Sequence, residues 1–178
     1  MLVLALVLAA ASVLSAGCGG PAAPGSAVTE DPELVAAAQT VEAELRQAFP
    51  DTFSGLRLDN DENRLIVYRR PDPRLDARVR ELAPSVTVDL RDAAHSLAAM
   101  LRTVDRVVAD GAYWAERGIT ITGAAPRADG SGVSVYTRTG DDKERAALSG
   151  RYPEMPLTVE KRTIVPATHQ PPSGIVIS

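Results

Sequence analysis

The chain has 178 residues, of which 45% are hydrophobic and 24% charged, and these are the proportions of a folded globular domain. Its 19 Lys and Arg residues are outnumbered by 23 Asp and Glu residues, so the net charge of -4 lacks the basic surface that general nucleic-acid binding requires. A single Cys closes no internal disulfide, and His95 and His169 lie too far apart in sequence for a compact zinc site, so we expect neither a metal nor a cofactor.

The N-terminus carries a targeting signal. Residues 1–16 are an uninterrupted run of apolar and small side chains without charge, Pro or Gly. This run is shorter than the roughly 20 residues that a membrane-spanning helix needs, and its length suits the apolar region of a signal peptide. We therefore predict that residues 1–17 are a signal peptide that is removed.

The only Cys stands at the end of this segment, after small residues. The stretch from Leu14 to Cys18 resembles the lipobox of bacterial lipoproteins. That resemblance implies a diacylglycerol group, and further acylation such as palmitate, on Cys18, and it places the mature protein at the extracytoplasmic face of the cell membrane. Residues 18–30, which are rich in Gly and Pro, then read as a flexible tether. The ratio of 17 Arg to 2 Lys is the usage of a high-GC Gram-positive bacterium.

Residues 31–89 are predicted to form a first unit in the order helix, strand, strand, helix, strand. Asp31 and Pro32 are typical N-terminal residues of a helix, and the apolar residues that follow recur at steps of four and three. Alternating apolar residues on both sides of the polar run 59–63 predict a β-hairpin. A short amphipathic helix and a strand around Val88 complete the unit.

The same order recurs over residues 90–161, so the fold class is α+β with two αββαβ units. We expect a three-stranded sheet with helices on one face in each unit, and a long central helix, from Leu90 to Arg117, that joins them. The predicted apolar face of this helix consists of Leu90, Ala94, Leu97, Leu101, Val104 and Val108. Tyr68 and Tyr136 occupy equivalent places in the two units, which favours an internal repeat.

The order and length of the elements in each unit are similar to those of the BON module of bacterial envelope proteins. The hairpins also resemble those in the pro-regions of secreted bacterial serine proteases. The first resemblance implies membrane or envelope binding, and the second implies binding and inhibition of a protease.

Residues 162–178 follow the second unit and read as an extended, Pro-rich tail.

We expect Leu65 and Val67 in the first unit, and Val133 and Val135 in the second, to face the helices. Side-chain alternation then places a second set of residues on the opposite strand faces, which point away from the helices. The candidates for partner binding there are Arg57, Tyr68, Arg70, Tyr136 and Arg138. Tyr and Arg are enriched at binding hot spots, which favours a partner surface. The alternative is that the two faces pack on each other, since a unit of this size has a marginal core alone.

Two classes of function follow from these observations. The first is a membrane-anchored envelope lipoprotein that acts as a non-catalytic binding or assembly module, with an envelope protein or a cell-wall component as its partner. The second is a small hydrolase or a protease-regulating protein. The chain contains no Gly-rich phosphate loop, GxSxG, CxxC or HExxH motif, so we expect no enzymatic activity.

Overall fold

The computed structural model describes residues 31–162 and contains the two predicted αββαβ units. The first consists of α1 (Pro32–Ala48), β1 (Phe53–Asp59), β2 (Arg64–Arg69), α2 (Pro73–Leu82) and β3 (Thr87–Asp92). The second consists of α3 (Leu97–Ala109), α4 (Gly111–Ala115), β4 (Ile121–Pro126), β5 (Val133–Thr137), α5 (Asp142–Arg151) and β6 (Leu157–Lys161). The predicted signal peptide, Cys18, the tether and residues 163–178 of the tail lie outside the described residues.

Each unit has one three-stranded mixed sheet, which confirms the α+β class. The strand orders are β1-β2-β3 and β4-β5-β6. The first two strands of each sheet form an antiparallel hairpin, whereas the third pairs in parallel with the second. Such a parallel pair needs a crossover connection, and α2 and α5 supply it.

The core of the first unit lies between its sheet and both of its helices. Leu65 and Val67 of β2 are fully buried in one apolar cluster with α1 and α2. The inward residues of α1 are the predicted ones, Leu34, Ala38, Val41 and Leu45. Asp31 caps this helix, because its Oδ1 accepts a hydrogen bond of 2.9 Å from the Glu33 amide. In the second unit Val133 and Val135 of β5 take the places of Leu65 and Val67.

The two units repeat the same backbone hydrogen bonds 68 positions apart. The Arg70 amide donates to the Thr52 carbonyl, and the Arg138 amide donates to the Thr120 carbonyl. An irregularity of the register occurs directly before Gly55 in β1 and before Gly123 in β4. Each of these glycines then pairs with a tyrosine, Tyr68 or Tyr136. The repeat is therefore one of geometry as well as element order.

The central helix is shorter than predicted. Leu90 belongs to β3, so the first unit extends to Asp92 rather than residue 89, and α3 begins only at Leu97. Ser96 caps α3 by accepting a hydrogen bond of 3.2 Å from the Ala99 amide. The helix ends at Ala109, and the separate five-residue helix α4 follows. In β3 the apolar Leu90 stands between polar neighbours, as is usual in a strand with alternating side chains. Its fit to the helical spacing is therefore coincidental.

The apolar face of α3 also differs from the prediction. The buried residues of this helix are Leu97, Met100, Thr103 and Val107. Leu97 packs in the core of the first unit, and Met100 and Val107 pack in that of the second. Leu101 and Val108, which were expected inside, are 37% and 57% exposed. Of the predicted face, Leu97 is buried and Val104 packs partly against the second core. The helix carries apolar residues on two adjacent sides, and the buried side includes the polar Thr103, so periodicity alone does not decide which side faces the core.

An aromatic and ionic cluster joins α5 to α3 and α4. The Tyr152 ring is fully buried, and its hydroxyl accepts a hydrogen bond of 3.1 Å from Trp114 Nε1 and donates one of 2.7 Å to Asp110 Oδ2. The same carboxylate oxygen accepts a hydrogen bond of 2.8 Å from Arg151 Nε. Trp114 is thus a core residue, and Asp110 connects the start of α4 with the end of α5.

The units contact each other through the loop between β4 and β5. Gly130 in this loop has φ +67, and a Cβ there would lie 2.5 Å from the Cβ of Ala93. Its carbonyl accepts a hydrogen bond of 3.0 Å from the His95 amide, and the His95 carbonyl accepts one of 2.7 Å from Ser54 Oγ. His95 therefore lies in the connection between the units, rather than on the central helix as predicted.

None of the helices within residues 31–162 has the length and apolar character to cross a membrane.

Candidate binding groove

The sheet faces that point away from the helices approach each other. Ile66 lies on this face of the first sheet, between Leu65 and Val67, and it is fully buried although neither apolar core includes it. Ser134 holds the corresponding place in the second sheet and is only 8% exposed. Such burial shows that these faces are covered rather than open to solvent.

A groove of about 400 Å³ remains where the two faces meet. The residues that line it come from both units and are Arg57, Tyr68, Arg127, Ala128, Asp129, Ser134 and Glu160. Arg57 and Tyr68 stand on β1 and β2, and Ser134 and Glu160 stand on β5 and β6. The remaining three residues belong to the loop between β4 and β5 that connects the units.

Gly55 determines how closely this loop approaches the first sheet. A Cβ at Gly55 would lie 2.5 Å from the carbonyl oxygen of Ala128, which is closer than real side chains come. Tyr68 is the cross-strand partner of Gly55, so the same close approach places its ring beside the loop. The equivalent Gly123 has only the Tyr136 ring nearby, at 3.5 Å. The close approach of the loop is therefore found at Gly55 and not at the equivalent Gly123.

Arg127 is held in place by two polar neighbours. Its Nη1 donates a hydrogen bond of 3.1 Å to Thr158 Oγ1, and its Nη2 lies 3.5 Å from Asp129 Oδ2. Its Nε atom is buried and has no hydrogen-bond partner within residues 31–162. One N–H donor of the guanidinium is therefore left unused by the described part of the chain.

Asp129 carries a stable negative charge beside this guanidinium. Its Oδ1 accepts hydrogen bonds from the Ser131 amide at 3.0 Å and from Ser131 Oγ at 2.7 Å. Burial by itself would raise the pKa of Asp129, but these bonds and the Arg127 guanidinium outweigh it and hold the pKa below its usual value. Asp129 is therefore ionised at neutral pH and fixes the shape of the loop.

Arg57 is the exposed cation of the groove. Its nearest acidic neighbour on β1, Asp59, is engaged by Arg64 in an ion pair of 2.9 Å. Among the ion pairs within residues 31–162, none includes Arg57 or Glu160. An unpaired cation and an unpaired anion therefore face the same space from different units.

The predicted site residues divide into two groups. Arg57 and Tyr68 line the groove, whereas Arg70 and Arg138 are exposed beyond the ends of β2 and β5. Tyr136 is half-buried, with the Arg162 guanidinium 3.6 Å above its ring. The five candidates do not form one continuous surface.

Four polar residues of the groove were not among the predicted ones. Strand alternation could have found Ser134, two positions before Tyr136, and Glu160, which is the cross-strand partner of Tyr136. No local pattern points to Arg127 or Asp129, because their role depends on how the loop packs against the other unit.

The comparisons with known proteins give no relative. No family model matches the chain, and neither the curated proteins nor the solved structures include a match. The resemblance to the BON module therefore rests on element order alone. The fold and the groove define a two-unit α+β protein with a groove that is lined by residues of both units.

Proposed function

We propose that this protein is an envelope lipoprotein that acts as a non-catalytic binding module, with the groove as its binding site. The lipid on Cys18 would hold it at the extracytoplasmic face of the cell membrane, and residues 18–30 would allow the folded part to reach its partner. That partner is an envelope protein or a cell-wall component. The alternative of a small hydrolase or a protease regulator stays a prediction.

The observation that supports this proposal best is the composition of the groove. It combines Arg57, which has no ion pair within residues 31–162, with the half-buried Tyr68. Arg and Tyr are the side chains that contribute most to binding energy at protein surfaces. A groove of about 400 Å³ also lies within the usual size range of ligand sites.

A photo-crosslinking experiment tests the groove. The lipidated full-length protein would carry benzoylphenylalanine in place of Ala128 or of Arg70, and intact cells would be irradiated. Both positions are exposed, but only position 128 lines the groove, and neither residue is a proposed binding residue of the groove. We expect a discrete crosslinked product from position 128 alone, and we expect Tyr68→Ala to reduce it. Equal products from both positions, or none from position 128, would contradict the proposal.

The variant Cys18→Ser tests the membrane anchor. Without the thiol no diacylglycerol can be attached, so the protein should leave the membrane fraction or accumulate with its signal peptide uncleaved. Cell fractionation and metabolic labelling with an alkyne fatty acid measure both effects. A Cys18→Ser protein that is processed normally and still needs detergent for extraction would show that the lipoprotein assignment is wrong.

A further inference from the structure

We infer that the ligand of the groove is a sugar chain that carries a carboxylate, with the acid at Arg57 and the sugar ring on Tyr68. This inference rests on the proposed function, because it names the ligand class of the same site.

The groove combines polar side-chain groups with apolar surface, and this mixture indicates an amphipathic ligand that carries hydroxyl or amide groups. Of the seven residues that line it, only Ala128 lacks a polar group on its side chain. An apolar peptide would leave these groups without hydrogen bonds, which is costly. Sugar hydroxyls both donate and accept, so they can satisfy Ser134, Asp129 and Glu160 together.

The Tyr68 ring offers the one extended flat surface. It is half-buried at the edge of the loop, so one part of the ring contacts protein and the rest faces the groove. The C–H face of a sugar ring is apolar while its rim is polar, which matches an aromatic ring surrounded by charged side chains. Tyr136, its counterpart, does not line the groove and lies under Arg162 instead.

The charges of the groove favour a carboxylate over a phosphate monoester. The guanidinium of Arg57, which takes part in no ion pair within residues 31–162, forms two parallel hydrogen bonds with a planar carboxylate. Asp129 and Glu160 lie in the same groove and repel a group that bears two negative charges. A ligand with one carboxylate directed toward Arg57 and hydroxyls directed toward Glu160 forms hydrogen bonds with residues of both units.

The test measures binding of defined disaccharides to the full-length protein in detergent by isothermal titration calorimetry. One acidic probe is N-acetylglucosaminyl-N-acetylmuramic acid, whose matched neutral control is N,N′-diacetylchitobiose, which lacks the lactyl carboxylate. A second acidic probe is digalacturonic acid, with galactobiose as its neutral control. The two arms distinguish a wall amino sugar from a uronic acid as the source of the carboxylate.

We expect at least one acidic disaccharide to bind about tenfold or more tightly than its neutral control. Arg57→Ala and Tyr68→Ala should each weaken that binding by about tenfold or more. Arg70→Ala and Tyr136→Ala replace the same residue types outside the groove and should leave the affinity unchanged. Tyr68→Leu keeps an apolar side chain but removes the ring, so it should weaken binding as Tyr68→Ala does. Circular dichroism checks that every variant is folded.

The outcomes separate this inference from the proposed function. Equal binding of acidic and neutral disaccharides would overturn the role of the carboxylate, and no binding of either acidic probe would overturn the inference as a whole. If position 128 still crosslinks in cells, the groove remains a binding site with a different ligand. If that crosslink is absent as well, both proposals fail.

Discussion

At the scale of single residues, Asp110 has the clearest electrostatic role in the fold. Hydrogen bonds from Arg151 and from the Tyr152 hydroxyl hold its pKa below the usual value of 3.8, in spite of partial burial. A carboxylate with a lowered pKa stabilises the fold at pH values above its unfolded pKa, and this contribution is lost as the pH falls through the folded pKa. The stabilisation of the fold by Asp110 should therefore decrease as the pH falls below about 4.

Asp110→Asn should lower the free energy of unfolding by about 1–2 kcal/mol at pH 7, because charge-assisted hydrogen bonds to Arg151 and Tyr152 are weakened. The difference from the unchanged protein should shrink as the pH falls below about 4. Urea unfolding at several pH values measures this difference in the free energy of unfolding. Asp105→Asn, at an exposed position on α3, is the control and should have little effect at any pH. A constant difference across the pH range would contradict the role of the carboxylate.

At the scale of elements, neighbouring residues of α3 have opposite environments. Val107 is fully buried in the core of the second unit, whereas Val108 is 57% exposed. Val107→Asp should destabilise the protein by several kcal/mol, about 3–5, because it buries an unpaired charge. Val108→Asp should change stability by less than about 0.5 kcal/mol. Thermal unfolding of the two variants compares them directly, and similar losses would show that the face of α3 is assigned wrongly here.

The same helix shows how far the sequence alone could go. The alternation in β2 correctly placed Leu65 and Val67 inside, because strand parity is a local property. The phase of α3 was wrong because this helix carries apolar residues on two adjacent sides and because one of its buried residues is the polar Thr103. Five of the seven groove residues were also missed. Arg127 lines the groove only because its loop packs against the first sheet, which lies far from it in sequence. Local periodicity carries no information about such packing.

At the scale of the whole molecule, a glycine pair tests the contact between the units. Gly55→Ala would bring a Cβ to 2.5 Å from the Ala128 carbonyl oxygen, so the loop must move away. We expect a loss of about 1–3 kcal/mol in the free energy of unfolding. Gly123→Ala, at the equivalent position of the second unit, meets only the Tyr136 ring at 3.5 Å and should be neutral or slightly stabilising.

Chemical denaturation of both glycine variants provides the measurement. If the units depend on each other, Gly55→Ala should also broaden or split the unfolding transition, while Gly123→Ala keeps a single one. Equal stability of the two variants would mean that the approach of the loop to β1 is not needed for the fold.

The groove has walls from two units, and this links its occupancy to their association. A ligand that touches both walls binds only when the units are together, so it must stabilise the closed arrangement by mass action. The amide of His95 donates to the Gly130 carbonyl across this contact, and its hydrogen is exposed to exchange whenever the units separate. Slowed hydrogen exchange at His95 would therefore report a bound ligand from a residue that does not touch it.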